Sequence, residues 1–331
     1  MSQATNPERE VLPPGRPKAK RAPSGLEPAA PSLLEQAWTG ARGEASREPR
    51  PARPRAVPAS SVAADAGAVF AKSGEATSVG AIFSVKDVSL RFGGVQAVGN
   101  VSFSVNKGEV FAIIGPNGAG KTSMLNVITR VFDPTSGSVS FEGRDITALP
   151  RHKIVHSGIA RTFQNIELFE GGTVLDNLLL GRHRFPHGNF AAQWLWTPGV
   201  RAAEAQSRAH VEDVIDLLDL MPHRNSPVAG LPYGVRKVVE LARALATQPR
   251  LLLLDEPASG LNPEETRDLA FWIDDIQKDL GITVIMVEHD MSLVSEAADR
   301  VLCMNMGQVL ALGTPKAVQG NPDVIAAYLG G

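Results

Sequence analysis

The hydrophobic pattern changes character about a quarter of the way along the chain. Over residues 82–90, apolar positions recur through Phe83, Val85 and Val88, which predicts a half-buried strand, and 101–105 alternates again. Residues 109–114 form a mostly apolar run before Gly115, and further short apolar runs follow at 251–254, 282–287 and 301–304. Runs of that length, spaced by helical patterns such as 124–131, 211–220 and 236–246, predict strands buried on both faces. An α/β domain is therefore expected over 81–331. Its sheet should be mostly parallel, with an added antiparallel part built from the closely spaced early strands. Residues from about 165 to 235 lack strand runs and predict a helical insert.

Residues 1–80 show neither period. Eleven of the 24 prolines fall in the first 58 residues, beside 10 Lys/Arg, 6 Asp/Glu and a single aromatic, Trp38. Such a segment buries too little apolar surface to offset the entropy of ordering, so a disordered tail is expected. Within it, Leu33, Leu34 and Trp38 could share one face of a short docking helix. Its arginines suit an organelle transit peptide, but six glutamates oppose that reading.

Composition then narrows the function classes. A chain of 331 residues that is 43% hydrophobic can bury a sizeable core. Its net charge of −2 exerts no general pull on nucleic acid or anionic lipid. A lone cysteine, Cys303, excludes an internal disulfide framework. No apolar run approaches the roughly 18 residues of a membrane helix, and the first residues lack the apolar core of a secretory signal.

The most specific local chemistry is Gly115-Pro116-Asn117-Gly118-Ala119-Gly120-Lys121-Thr122, which fits G-x-x-x-x-G-K-[ST] between an apolar strand and a helix. A polyphosphate can be wrapped by backbone N–H groups only where glycine permits close approach and unusual dihedrals. The following helix adds its positive end. Lys121 is expected to reach the β- and γ-phosphates, and the Thr122 hydroxyl to bind Mg²⁺. The second anchor is Leu251-Leu252-Leu253-Leu254-Asp255-Glu256, a strand ending in two carboxylates. Asp255 is placed to hold Mg²⁺ near Thr122, and Glu256 to polarise an attacking water.

With both anchors in order, residues 82–330 resemble the ATP-binding-cassette (ABC) ATPases. The resemblance implies a P-loop nucleotide-binding core and further site residues. Phe92 stands where the family stacks an aromatic ring on adenine, though taken alone it suits a core position better. Gln164, in Ala160-Arg161-Thr162-Phe163-Gln164-Asn165, stands at the glutamine that senses Mg²⁺ and the γ-phosphate. His289 resembles the switch histidine on the γ-phosphate, and Ser259-Gly260-Leu261-Asn262 the loop that communicates across the dimer. Asn262-Pro263-Glu264-Glu265 is also a plain helix start. The family's signature sequence is altered to Leu231-Pro232-Tyr233-Gly234-Val235, which keeps Gly234 and the helix start but loses the usual serine. The missing hydroxyl implies a weaker signature acting on the partner's ATP.

Finer resemblance points to importer ATPases for branched-chain amino acids, carried by Ala160-Arg161-Thr162-Phe163-Gln164-Asn165, Pro232-Tyr233-Gly234 and Gly260-Leu261-Asn262-Pro263. The ending Asn321-Pro322-Asp323-Val324-Ile325-Ala326-Ala327-Tyr328-Leu329 adds to it. The resemblance implies ATP and Mg²⁺ as cofactors. Catalytic residues are Glu256, His289, Gln164 and Lys121. The nucleotide contacts are Phe92, Gly115, Pro116, Asn117, Gly118, Ala119, Gly120, Lys121, Thr122 and Ser123, with Gly234 acting across the dimer. Thr122, Gln164 and Asp255 place the metal. Implied partners are a second ABC ATPase subunit, two transmembrane permeases and, indirectly, a periplasmic substrate-binding protein. No nucleic acid is expected, and the protein should sit peripherally on the cytoplasmic face of the inner membrane. Alternatives are urea or amide import, export, a soluble non-transport cassette ATPase, and a regulatory module that closes on ATP without turnover. A small-molecule kinase shares the phosphate loop but does not explain Gln164, Gly234 and His289 together.

Overall fold

Two long strands, β1 (Ala81–Phe92) and β2 (Val95–Asn106), pair antiparallel across a two-residue turn at Gly93 and Gly94. Their inward residues alternate as the sequence predicts: Phe83, Val85, Val88 and Leu90 on β1 face Val98, Val101, Phe103 and Val105 on β2, all buried. The computed structural model describes residues 80–184, 194 and 197–329, so the expected tail and its docking motif lie outside the described residues. After β3 (Val110–Ile114) and the helix α1 (Lys121–Ile128), β4 (Ser136–Phe141) and β5 (Arg144–Asp145) complete a four-stranded antiparallel sheet in the order β2-β1-β4-β5.

The second sheet has six strands. A short helix, α2 (Arg151–His156), leads into β6 (Ile159–Arg161); the later strands are β7 (Leu251–Asp255), β8 (Thr283–Val287), β9 (Arg300–Asn305) and β10 (Gln308–Gly313). Their order is β10-β9-β3-β8-β7-β6, parallel throughout except for the antiparallel edge strand β10. Every residue of β3, β7 and β8 is buried, as expected of strands covered on both faces. One core joins the sheets: Phe103 of β2 stacks on Phe111 of β3 at 5.3 Å, and Met124, Leu125 and Ile128 of α1 pack among them.

Between β6 and β7 no further strand occurs among the described residues. The described residues of this stretch include the helices α3 (Val174–Gly181), α4 (Pro198–Leu217) and α5 (Tyr233–Ala246). The first two pack on α5. Helix α3 opens with a capping box in which Thr173 and Asp176 exchange hydrogen bonds with each other's backbone. The chain closes through α6 (Pro263–Lys278), α7 (Met291–Ala297), α8 (Pro315–Gln319) and α9 (Pro322–Leu329). The hydrophobic pattern gave no sign of β4, β6 or β10. Serines alternate through β4, β6 has three residues, and β10 is a half-exposed edge.

Candidate functional site

Strands β3, β8 and β7 lie side by side, with Ile113 and Asp255 both registered against Val287. Their carboxyl ends therefore open on one edge, the place where parallel α/β sheets hold ligands. The loop Gly115 to Gly120 leaves β3 there, Glu256 follows β7, and Glu288 and His289 follow β8.

The loop holds its shape through close backbone approach. Gly115 has φ +148°, and a β-carbon on it would stand 2.1 Å from the Met304 carbonyl oxygen. No other residue type fits that position. Gly120, left-handed at φ 97°, starts α1 without a side-chain cap bond, so the first turn keeps its donors free of a side-chain partner. The β9–β10 turn braces the loop, with Gly307 N–H donating to Ala119 O at 2.9 Å and Gly307 O accepting from Gly99 N–H at 2.8 Å. Lys121 is buried and its Nζ donates to Gly115 O at 2.7 Å and Pro116 O at 3.2 Å. Burial lowers its pKa, while the nearby Glu256, Cys303, Asp255 and Glu288 oppose that fall. Thr122 is exposed beside it in the first turn, and Ser123 is half-buried.

The carboxylates differ in environment. Asp255 is buried; its Oδ2 accepts from Arg161 Nη2 at 2.7 Å, while Oδ1 is buried without a hydrogen-bond partner. Arg161 is itself fixed by Asn126 Oδ1 at 2.7 Å and Thr129 Oγ1 at 3.0 Å, which ties β6 to α1. Glu256 sits at φ 48°, a strained setting for a glutamate and one that clusters at functional sites. Gln164 Nε2 donates to its Oε2 at 2.7 Å. Glu288 is fully buried and accepts the N–H groups of Ala258 at 2.8 Å, His289 at 2.9 Å and Asp290 at 3.2 Å. Burial pushes its pKa up, and those three donors pull it partly back. The His289 side chain is 57% exposed, with Nδ1 3.9 Å from Glu288 Oε2.

Two expected residues stand apart from this cluster. Phe92 ends β1, 46% exposed, with its ring edge-on to Phe132 at 5.0 Å, so it is not the core residue its type alone suggests. Gly234 lies in the first turn of α5 with the Glu265 carboxylate against its α-carbon. Beside it the Tyr233 ring packs on Gly260, and Lys237 lies over that ring at 5.9 Å. Asn262 and Glu265 form the capping box of α6.

Helix α5 also grips the loop that carries Gln164. Lys237 Nζ donates to Gln164 O at 3.2 Å, Glu240 Oε1 accepts from Phe163 N–H at 3.0 Å, and Arg243 donates to Glu167 O. Burial raises the Glu240 pKa above the ordinary value. Sequence reasoning did not assign Arg161, Lys237, Glu240 or Glu288 to the site. The available signal was two charges, Lys237 and Glu240, falling on the same helical stripe as the small residues Gly234 and Ala244. The opening thus combines a buried ammonium, a helix start and one carboxylate oxygen lacking a partner. That set suits a phosphate chain and its counter-cation. Among the described residues, no group of three or more His, Cys, Asp or Glu gathers to hold a metal by itself.

Comparison with known proteins agrees with this geometry. The model of the ABC transporter family matches residues 98–259, and that of the branched-chain amino acid ATP-binding cassette transporter family matches residues 308–331. The chain is 42% identical to the high-affinity branched-chain amino acid transport ATP-binding protein BraF of Pseudomonas aeruginosa, over 75% of this chain and 98% of BraF. It is 39% identical to LivG of Escherichia coli K12, which carries the same description, with the same coverage. Among solved structures, the ADP conformation of MJ1267, an ATP-binding cassette of an ABC transporter, matches with a TM-score of 0.67 and 32% identity. That match covers 76% of this chain and 99% of MJ1267.

Proposed function

The chain belongs to the ABC transporter ATPase family, and from that premise we propose that it is the ATP-hydrolysing subunit of an importer for branched-chain amino acids. The observation that carries the hydrolytic part is the Gln164–Glu256 hydrogen bond at 2.7 Å, next to the unpartnered Oδ1 of Asp255 on the edge where Lys121 lies. The importer assignment rests on the likeness to BraF and LivG across nearly their whole length.

In this reading Phe92, exposed at the end of β1, stacks on adenine. The loop from Gly115 through Gly120 cradles the phosphates, with donors from the first turn of α1 up to Ser123. Lys121 gives up its carbonyl partners to reach the β- and γ-phosphates, and its burial makes that contact strong. A Mg²⁺ ion, when bound, neutralises phosphate charge; the Thr122 hydroxyl, Gln164 and Asp255 Oδ1 are the groups suited to it, and the unpartnered oxygen fits the role. Glu256 orients and deprotonates the attacking water, Gln164 fixes the Glu256 carboxylate, and His289 holds the γ-phosphate. Positioning and charge stabilisation supply the rate, as phosphoryl transfer asks for little covalent chemistry.

Closure against a second ATPase subunit completes each site. Pro232 caps α5 with no side-chain hydrogen bond, so Gly234 and the α5 start offer backbone donors to the partner's nucleotide. Because ATP favours the closed pair, closure performs work on the permeases. No helix among the described residues is long and apolar enough to cross a membrane. Attachment to the cytoplasmic face of the inner membrane accordingly goes through two permease subunits, served by a periplasmic binding protein. Gentle solubilisation of native membranes carrying the tagged chain tests the assignment. Two hydrophobic permeases and a second ATPase should co-purify, and reconstituted vesicles should take up leucine with ATP. Recovery alone or with ribosomes contradicts it.

A further inference from the structure

Arg161 joins three parts of the site. It closes β6, and its side chain is nearly buried. Its Nη2 donates to Asp255 Oδ2 at 2.7 Å, at the end of β7. Its Nη1 donates to Asn126 Oδ1 at 2.7 Å and Thr129 Oγ1 at 3.0 Å, the first within α1 and the second at the cap that ends it. The guanidinium carbon also lies 5.3 Å from the ring of Phe163, the residue before Gln164. The backbone is fastened alongside: Arg161 is registered against Leu253 of β7, and Thr162 N–H donates to Leu253 O at 2.9 Å. Gln164 then meets Glu256 at 2.7 Å. Two adjacent carboxylates, Asp255 and Glu256, are thus each held by a side chain from one short stretch, 161–164.

We propose that Arg161 is a positioning residue for the cation that accompanies the nucleotide: it fixes the Asp255 carboxylate through Oδ2 and leaves Oδ1 for the metal. The proposal rests on the ATP-binding reading and adds a residue to that site. The terminal torsion of an aspartate is soft, and a charged hydrogen bond to one oxygen removes that freedom. The other oxygen, Oδ1, is buried without a hydrogen-bond partner, a costly setting that a cation relieves. Arginine suits this task where lysine does not. Its planar fork reaches Asp255, Asn126 and Thr129 together, whereas an ammonium is a point charge on a flexible stem. Asn126 lies on the helix that starts at Lys121, so the fork also ties the carboxylate to the element that carries the phosphate-binding lysine. Losing a partner behind a metal ligand commonly weakens metal binding by about 10–100-fold.

The test is binding of a fluorescent ATP analogue to the full chain, measured in EDTA and along a MgCl₂ titration, with thermal melting of each variant as a check on folding. Arg161→Lys keeps a positive charge beside Asp255 and removes the fork. The Mg²⁺ concentration that half-saturates its response should rise about tenfold or more, while affinity in EDTA stays at the wild-type value. Asn126→Ala frees one arm of the fork and keeps the ion pair, and it should shift the Mg²⁺ response in the same direction by a smaller factor. A wild-type Mg²⁺ response in Arg161→Lys, or in Asn126→Ala where Arg161→Lys does not fold, overturns the proposal. An equal loss of affinity in EDTA and in Mg²⁺ also overturns it, because a merely structural contact would act that way. If the unaltered chain binds the analogue in neither condition, the ATP-binding reading falls and the proposal with it.

Discussion

Replacing Glu240 separates the grip of α5 on the glutamine loop from simple packing. The side chain is 2% exposed, and its carboxylate takes the N–H of Phe163, the residue before Gln164. Alanine removes a charged acceptor from a buried site and leaves Lys237 and Arg243 without a carboxylate that interacts with them. A hydrogen bond to a charged group contributes about 1.5–3 kcal/mol, so Glu240→Ala should lower unfolding free energy by about 2–3 kcal/mol. Gln164 meets Glu256 at 2.7 Å only while its loop stays in place, so turnover should fall about tenfold, equivalent to ~1.4 kcal/mol in the barrier. Glu240→Gln retains an acceptor oxygen and should keep turnover near wild type. The pH dependence adds a signed check. Burial is the largest influence on Glu240 and holds its folded pKa above 4.5 despite the Phe163 N–H, Lys237 and Arg243. A raised folded value means that the stabilising contribution is complete below the unfolded pKa and is lost as pH rises through the folded one. Glu240→Gln should therefore gain on wild type as pH climbs above about 4.5, read from urea midpoints over a pH series. Wild-type turnover and stability in Glu240→Ala, or an advantage of Glu240→Gln over wild type that shrinks as pH rises, refutes the reasoning.

Other sites give equally direct expectations. Gly115→Ala forces a β-carbon to 2.1 Å from the Met304 carbonyl at φ +148°, which should cost at least about 3 kcal/mol and lower the melting temperature by roughly 6–12 °C. Asp255→Asn breaks the buried pair with Arg161 and removes the charge on the unpartnered oxygen. Denaturant titration should show a loss of about 3 kcal/mol, and hydrolysis should lose its saturable response to Mg²⁺. Pro232→Ser supplies an N-cap hydroxyl at the start of α5, and phosphate release by the assembled complex should rise several-fold; an unchanged rate removes the idea of a weakened signature.

The parts legible in the sequence are those whose physics is local. The phosphate loop needs its glycines, lysine and hydroxyl in one short run, and the strand 251–254 announces itself by apolar residues ahead of Asp255 and Glu256. Buried on both faces, β3, β7 and β8 read as continuous apolar runs, and the β1–β2 alternation survives in the burial pattern. The remainder depends on residues far apart in the chain. Arg161 looks like a surface charge until Asp255 and Asn126 are brought to it. Glu288 reads as the residue before His289, yet it is the buried acceptor that ties Ala258 to the backbone of His289. Strands β4 and β10 escape because serines or half-exposed positions interrupt their alternation.

Single-turnover phosphate release from Mg·ATP by the assembled complex, with and without Glu256→Gln, tests the central claim most directly. The substitution keeps the side chain's size and removes its basicity. The account predicts that the variant binds ATP as tightly as the unaltered protein and releases phosphate at least about 100-fold more slowly. Release at the wild-type rate from Glu256→Gln, or none from the unaltered complex, contradicts it.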